Sequence, residues 1–129
     1  MKDRQSLIAE FEMLLPLATE WATQEEQQIL REGVPLPAHP QLRAAAETVH
    51  FLTPETRGLT LQYGILGRWD CWRDRALIAH ELVHTAQYEQ RGGIHPFLRD
   101  YLLECLTIGY ANAPMEQEAV ATADRVCTS

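Results

Sequence analysis

Residues 76–93 read ALIAHELVHTAQYEQRGG, and this stretch decides the fold because it predicts a long helix. Asp74 lies just before it, where a carboxylate can accept hydrogen bonds from the free backbone N–H groups of the first turn. Gly92 and Gly93 follow the last helical residue, and glycine readily adopts the left-handed conformation that ends many helices. We therefore predict a helix from about residue 74 to residue 91.

The same helix carries His80-Glu81-Leu82-Val83-His84. Residues four apart project from one helix face, so the imidazoles of His80 and His84 can reach a single ion. Zinc takes such nitrogen ligands at about 2.0–2.1 Å in tetrahedral geometry. Glu81 is turned by about 100° from His80 and can reach a water in the open coordination position, where a general base is needed. The pattern predicts a hydrolytic zinc site.

The alternative interpretation is an ordinary helix with two surface histidines and a surface glutamate. The apolar stretch ALIA precedes the motif, and Leu82, Val83 and Ala86 are expected to bury the other sides of the helix. Polar, titratable groups on a largely buried helix cost free energy unless they are paired or bind a metal. This context favours the metal site.

A hydrolytic zinc site needs a third protein ligand. His95 lies beyond Gly92-Gly93 and is a weak candidate; stronger ones lie in APMEQEAVATAD (113–124). On that helix Glu116 shares the apolar face of Ala119, Val120 and Ala123, whereas Glu118 shares the polar face of Thr122 and Arg125. An inward-facing carboxylate must find a cation or a proton. We favour Glu116 as the ligand and keep Glu118 as the alternative.

The rest of the chain predicts further helices and one small sheet. Apolar residues at helical spacing predict a helix over 5–32 that Pro16 kinks or divides, with Gly33 as its stop. The segment VPLPAHP (34–40) is a loop, and QLRAAAETV (41–49) a short helix. The alternating segment GLTLQYGIL (58–66) predicts a strand in a sheet near residues 48–67, with a bulge or bend at Gly64. Two more helices are expected, one from Pro96 to Gly109 and one from near Asn112 and Pro114 onwards.

Length and charge limit the classes of function. The 129 residues predict a single domain, and no stretch approaches the roughly 18 apolar residues of a membrane span. A net charge of −7 with 11 basic residues argues against a nucleic-acid partner. The charged first residues predict no secretion signal, and three widely spaced cysteines without a CxxC pair suit reduced thiols. We expect a cytoplasmic protein.

The motif HELVH followed by a helix with EQEAV (116–120) resembles the gluzincin metallopeptidases. The resemblance covers roughly residues 58–125. These segments also look like those of small bacterial proteins with a minimal gluzincin core. It implies Zn²⁺ bound by His80, His84 and a glutamate of the later helix, which aligns with Glu116. The pattern departs at Val120, where the family has an aspartate that supports a ligand histidine; Asp124, one turn later, could take that part.

The resemblance also implies a fold and an architecture. We expect an α+β fold, mainly helical, with a zincin-like core over 58–129 and a small β-sheet packed on the HExxH helix. The segment GLTLQYGIL would be the edge strand that binds extended substrate. Residues 1–57 would form N-terminal helices and a loop that wall or cover the cleft. Gluzincins use a tyrosine or a histidine to stabilise the oxyanion, and Tyr110 or His95 could do so here.

Two classes of function follow. The first is a zinc-dependent metallopeptidase in which Glu81 activates the water and Tyr110 assists at a peptide carbonyl of a peptide or protein substrate. The second is a non-catalytic, metal-stabilised binding or regulatory module of the same fold. The accessibility of Glu81 separates the two. The substrate and the oligomeric state have no sequence signal.

Overall fold

The computed structural model describes residues 3–33, 40, 57–71 and 73–128. The helix predicted at 41–49 lies outside the described residues, as does the predicted loop at 34–40 apart from its last residue. The described residues form four helices and one small antiparallel sheet, which is the mainly helical α+β fold that the sequence predicts. No helix among them is both long and apolar enough to span a lipid bilayer.

The first helix, α1, runs over Arg4–Glu32 as one element. The side chain of Asp3 accepts a hydrogen bond from the backbone of Ser6 at its start, and Gly33 ends it in the left-handed conformation with φ of 74°, as predicted. Pro16 lies inside the helix, so the division into two helices is wrong. Proline removes one backbone hydrogen bond, but the other bonds of this long helix and its packing on the rest of the protein sustain it.

The segment GLTLQYGIL forms a hairpin, which corrects the prediction of one continuous strand. Strands β1 (Gly58–Leu61) and β2 (Gly64–Gly67) pair antiparallel, with Leu61 opposite Gly64. The chain reverses over two residues, and Gln62 takes a positive φ of 56°. An alternating pattern does not reveal such a turn when the residue that adopts the left-handed conformation is a glutamine. The predicted bend at Gly64 is the start of β2.

The second helix, α2 (Arg75–Arg91), has the predicted ends. Asp74 accepts a hydrogen bond from the backbone of Leu77, and Gly92 terminates the helix with φ of 95°. The expected burial is wrong for Leu82, which is 54% exposed, and for Ala86, which is also exposed, whereas Val83 is half-buried. The buried face instead carries Glu81, His84, Gln87 and Tyr88. A helix that buries polar groups and exposes apolar ones must find partners for those groups inside the protein.

Two further helices complete the described fold. Helix α3 (Ile94–Thr107) begins two residues before the predicted start at Pro96, which lies in the first turn, where the missing N–H of proline costs nothing. Helix α4 (Pro114–Thr128) begins at the expected proline. A short 3₁₀ turn at Tyr110–Asn112 joins α3 to α4, and another lies at Trp69–Cys71.

The packing of these elements positions the site. Helix α2 lies against α4 and β1, while α1 lies against α3 and the hairpin. Between them is an aromatic core in which Phe97 stacks on Tyr88 and Tyr101, with ring centroids 3.6 and 5.3 Å apart. Stacked rings at such distances bury large apolar areas and fix the rotation of the helices that carry them. The stack therefore fixes α2 against α3 next to the HELVH motif, and Met115 of α4 packs in the same core.

Candidate metal centre

His80, His84 and Glu116 converge in the structure. The Nε2 atom of His80 lies 3.0 Å from Oε1 of Glu116, and Nε2 of His84 lies 2.8 Å from Oε2. One ligand atom from each residue falls within 4.8 Å of the other two, an arrangement that could hold a metal ion. The sequence-based expectation that two imidazoles and one distant carboxylate would meet therefore describes the geometry found.

Local structure explains the convergence. His80 and His84 lie one turn apart on α2, with ring centroids 4.9 Å apart. Glu116 lies in the first turn of α4, on the side that also buries Ala119 and Ala123. Val120, expected on the same side, is 45% exposed. The buried stripe of α4 is therefore narrower than predicted, and it still turns Glu116 inward.

Glu116 is the most heavily hydrogen-bonded group of the centre. Besides the two imidazoles, the hydroxyl of Tyr101 donates to its Oε2 at 2.6 Å, and Tyr110 also bonds to this carboxylate. Burial acts to raise the pKa of Glu116, but the hydrogen bonds from both histidines and from Tyr101 outweigh it and hold the pKa well below its usual range. The carboxylate is therefore ionised at neutral pH, as a metal ligand must be.

His84 has a second partner on its other ring nitrogen. Nδ1 of His84 lies 2.8 Å from Oε1 of the buried Gln87. Burial acts to lower the pKa of His84. The hydrogen bond to Glu116 and its negative charge, together with the hydrogen bond to Gln87, outweigh burial, so the pKa lies above its ordinary value. The expected supporting residue, Asp124, is exposed on α4. For His84, this supporting part is taken by Gln87.

Glu81 faces the same cavity and is held on one side. The hydroxyl of Thr60 in β1 lies 2.7 Å from its Oε1. Gly58 packs closely against the same side chain, because a Cβ atom there would lie 3.2 Å from Cδ of Glu81. Contacts from Thr60 and Gly58 of β1 thus hold the carboxylate of Glu81, the general base predicted from the sequence.

A cavity of about 30 Å³ connects these groups. Its lining comes from β1, α2, α3, α4 and the turn at Tyr110, and includes His80, Glu81, His84, Tyr101, Tyr110 and Glu116. A water molecule needs at least about 10–15 Å³ of such space. The cavity therefore has room for a cation together with a water beside Glu81.

The ligand set suits zinc by its composition of two imidazole nitrogens and one carboxylate. Two atoms bound to one zinc ion at about 2.0–2.1 Å in tetrahedral geometry are about 3.4 Å apart. The two nitrogen–oxygen pairs here, at 3.0 and 2.8 Å, are shorter, involve different oxygens of Glu116 and have the length of hydrogen bonds. The same contacts are also those of an ion-pair network, which requires protonated imidazoles, since a neutral Nε2 lone pair facing a carboxylate is repulsive. Two nitrogens and a carboxylate favour zinc over magnesium or calcium among divalent cations.

Of the other candidates from the sequence, one lines the cavity and two lie outside it. His95 is exposed on α3 and does not line the cavity. Glu118, the alternative third ligand, is exposed and accepts a hydrogen bond from Nε2 of Gln87 at 2.7 Å. Tyr110 is half-buried and lines the cavity next to Glu116. Burial and the charge of Glu116 raise the pKa of its hydroxyl, which therefore remains a hydrogen-bond donor.

Sequence reasoning missed Tyr101 and Thr60. A signal for Tyr101 exists, because it lies one turn after Phe97 on the apolar face of α3, and a buried tyrosine hydroxyl requires a partner. Thr60 carries no such signal, since its contact with Glu81 depends on how the hairpin packs on α2.

Comparisons with protein-family models, with curated proteins and with solved structures each find no match to this chain. The functional conclusion therefore depends on the geometry of these residues.

Proposed function

We propose that this chain is a zinc-dependent metallopeptidase of the gluzincin type, with a peptide or protein substrate. The observation that carries the proposal is the meeting of His80, His84 and Glu116 within 4.8 Å, in a cavity that Glu81 also lines. A further support is the inverted burial of α2, which places Glu81 and His84 inside while Leu82 is exposed. Such an arrangement costs free energy that a bound cation would offset.

The residues divide the chemistry between them. When bound, the zinc ion supplies the Lewis acidity that activates water as a nucleophile at neutral pH. Oε1 of Glu81 is engaged by Thr60, so Oε2 accepts the proton of the attacking water. The water oxygen adds to the carbonyl carbon of the scissile amide. Glu81 then returns the proton to the amide nitrogen as the C–N bond breaks, which yields a carboxylic acid and an amine.

Tyr110 is the proposed oxyanion stabiliser. It borders the cavity, and its hydroxyl carries a proton to donate. His95, the other option from the sequence, is exposed and outside the cavity lining. A hydrogen bond that strengthens as negative charge develops on the carbonyl oxygen accelerates the chemical step.

The substitution Glu81→Gln tests the proposal. It removes the base but keeps the shape and the acceptor for Thr60, so peptide cleavage should fall by at least about 100-fold while one zinc per chain is retained. Cleavage of a denatured-protein or peptide-library substrate, followed by mass spectrometry, measures the first quantity, and elemental analysis the second. Equal cleavage by the variant and the parent would contradict the assignment of Glu81.

A second candidate is a non-catalytic, metal-stabilised binding module. The small cavity favours it, because about 30 Å³ leaves little room beyond a cation and a water. This candidate predicts bound zinc, a lower thermal stability after chelation and no cleavage in the library assay.

Cys71 and Cys105 are buried free thiols, which for either candidate supports a reducing compartment such as the cytoplasm.

A further inference from the structure

Gln87 is the most deeply placed polar side chain next to the metal centre. It is 1% exposed and lies between α2 and α4. Its Oε1 lies 2.8 Å from Nδ1 of His84, and its Nε2 donates to the backbone oxygen of Met115 at 3.0 Å and to Glu118 at 2.7 Å. A primary amide has two N–H donors, and both are used. Such a fully bonded buried amide has one orientation and is costly to disturb.

The partners of Nε2 determine the orientation of this amide. The carbonyl of Met115 and the carboxylate of Glu118 can only accept hydrogen bonds, so the NH₂ group must face them. Reversing the amide would put its oxygen against two other oxygens. The oxygen of Gln87 therefore faces His84, and only an N–H can satisfy it there.

This arrangement decides which nitrogen of His84 carries a proton. Nδ1 must donate to Gln87, so Nε2 is the nitrogen left to bind a cation. Nε2 is the atom that lies 2.8 Å from Glu116, within the candidate ligand set. We infer that Gln87 is a positioning residue that holds His84 in its cation-binding tautomer. By bonding to Met115 and Glu118, it also fixes that ring relative to the helix that supplies Glu116. The inference rests on the proposed metal site and not on peptidase activity.

Glu118 has a defined part in this inference. It is the residue that the sequence offered as an alternative ligand, and it instead anchors the amide of Gln87 from α4. Exchanging the two groups, with Gln87→Glu and Glu118→Gln together, keeps an acceptor for His84 and a hydrogen bond between positions 87 and 118, but it does not restore the donor to the Met115 carbonyl. The single change Gln87→Glu sets two carboxylates against each other and against the Met115 carbonyl. The pair therefore allows a test by rescue.

The first measurement is zinc affinity by competition with a chromophoric chelator. Gln87→Met should weaken binding by about 10- to 100-fold, the usual effect of removing the partner of a ligand histidine. Gln90→Met is the matched control, because Gln90 is exposed on the same helix, and it should bind zinc as the parent does. Gln87→Glu should bind poorly, and adding Glu118→Gln should recover part of the lost affinity, because only the contact with the Met115 carbonyl remains unfavourable.

The second measurement does not require zinc. Nitrogen-15 NMR of histidine-labelled, metal-free protein should detect a slowly exchanging proton on Nδ1 of His84. Its absence from the spectrum of His84→Gln assigns the signal, and the signal should be lost in Gln87→Met. A ring protonated on Nε2 with Nδ1 bare would overturn the inference, and so would parental zinc affinity in Gln87→Met. A parent that binds no zinc yet shows the Nδ1 proton would overturn the proposed function while leaving the hydrogen-bond assignment in place.

Discussion

Tyr101 donates its hydroxyl hydrogen to Oε2 of Glu116 at 2.6 Å, and both residues are buried. This bond links α3 to the first turn of α4 at the oxygen that also contacts His84. A hydrogen bond to an ionised carboxylate in a buried site is stronger than one between neutral groups. Tyr101 therefore orients the carboxylate toward the two imidazoles, although it is no ligand itself.

Replacing Tyr101 by phenylalanine should weaken the metal centre without disrupting the fold. The ring and its stacking on Phe97 remain, but Glu116 loses one donor. We expect zinc affinity to fall by about 10-fold or more. The free energy of unfolding of the metal-free protein should fall by about 1.5–3 kcal/mol, the usual contribution of a hydrogen bond to a charged group. Chelator competition and urea denaturation measure the two effects.

Tyr110→Phe is the matched comparison, because Tyr110 also bonds to Glu116 but is assigned to the oxyanion. It should reduce kcat for peptide cleavage by about 100-fold, with a smaller loss of zinc affinity than Tyr101→Phe because Tyr110 is only half-buried. If Tyr110→Phe lost zinc while Tyr101→Phe kept it, the two assignments would have to be exchanged.

Thr60→Val should impair the base while leaving the metal bound. Valine matches threonine in shape, but Oε1 of the buried Glu81 then loses its hydrogen-bond donor. We expect kcat to fall by about 10-fold, with zinc content unchanged and with Thr60→Ser close to the parent. Steady-state kinetics on a cleaved peptide provide the measurement. Equal losses in the serine and valine variants would show that Thr60 acts through packing alone.

Glu25 should make stability depend on pH near neutrality. Its side chain is 2% exposed on α1, its Oε2 has no hydrogen-bond partner in the described residues, and burial raises its pKa from 4.5 to about 7. Because the folded state holds the proton more tightly than the unfolded state, stability falls as pH rises from about 4.5 to about 7 and stays lower above that. The loss amounts to at most about 3 kcal/mol.

Glu25→Gln should remove that part of the pH dependence. The difference in unfolding free energy between variant and parent should grow in favour of the variant from pH 5 to pH 8 by up to about 3 kcal/mol. Taking the difference cancels the pH dependence that the two proteins share. Urea denaturation at each pH measures it, and Glu12→Gln, at an exposed position of the same helix, should show no such trend. A flat difference for Glu25→Gln would mean that its charge is compensated in the folded protein.

Much of the fold could be predicted from local signals. Asp74 and Gly92 mark the ends of α2 because capping depends on residues adjacent in sequence. The hairpin could not be predicted, since Gln62 takes a positive φ that glutamine seldom adopts. The continuity of α1 through Pro16 was equally hidden, because propensity argues against it and the context of the long helix sustains it.

Some residues of the candidate site can be predicted from local sequence and others cannot. Helical spacing brings His80 and His84 together, and the buried side of α4 points to Glu116, because both are properties of single helices. The contacts of Tyr101, Thr60 and Gln87 depend on how α3, β1 and α4 pack around α2. No spacing within one segment records that packing. The sequence thus nominates the groups that would bind a cation but not those that orient them.

Metal content is the most direct test of the assignment of His80, His84 and Glu116 to one cation site. Protein purified without a histidine tag and equilibrated with zinc should contain one zinc per chain by elemental analysis. Glu116→Gln and His84→Gln should each lose it, while Glu118→Gln should retain it. Absence of zinc from the parent, or one zinc per chain in both Glu116→Gln and His84→Gln, would contradict the assignment.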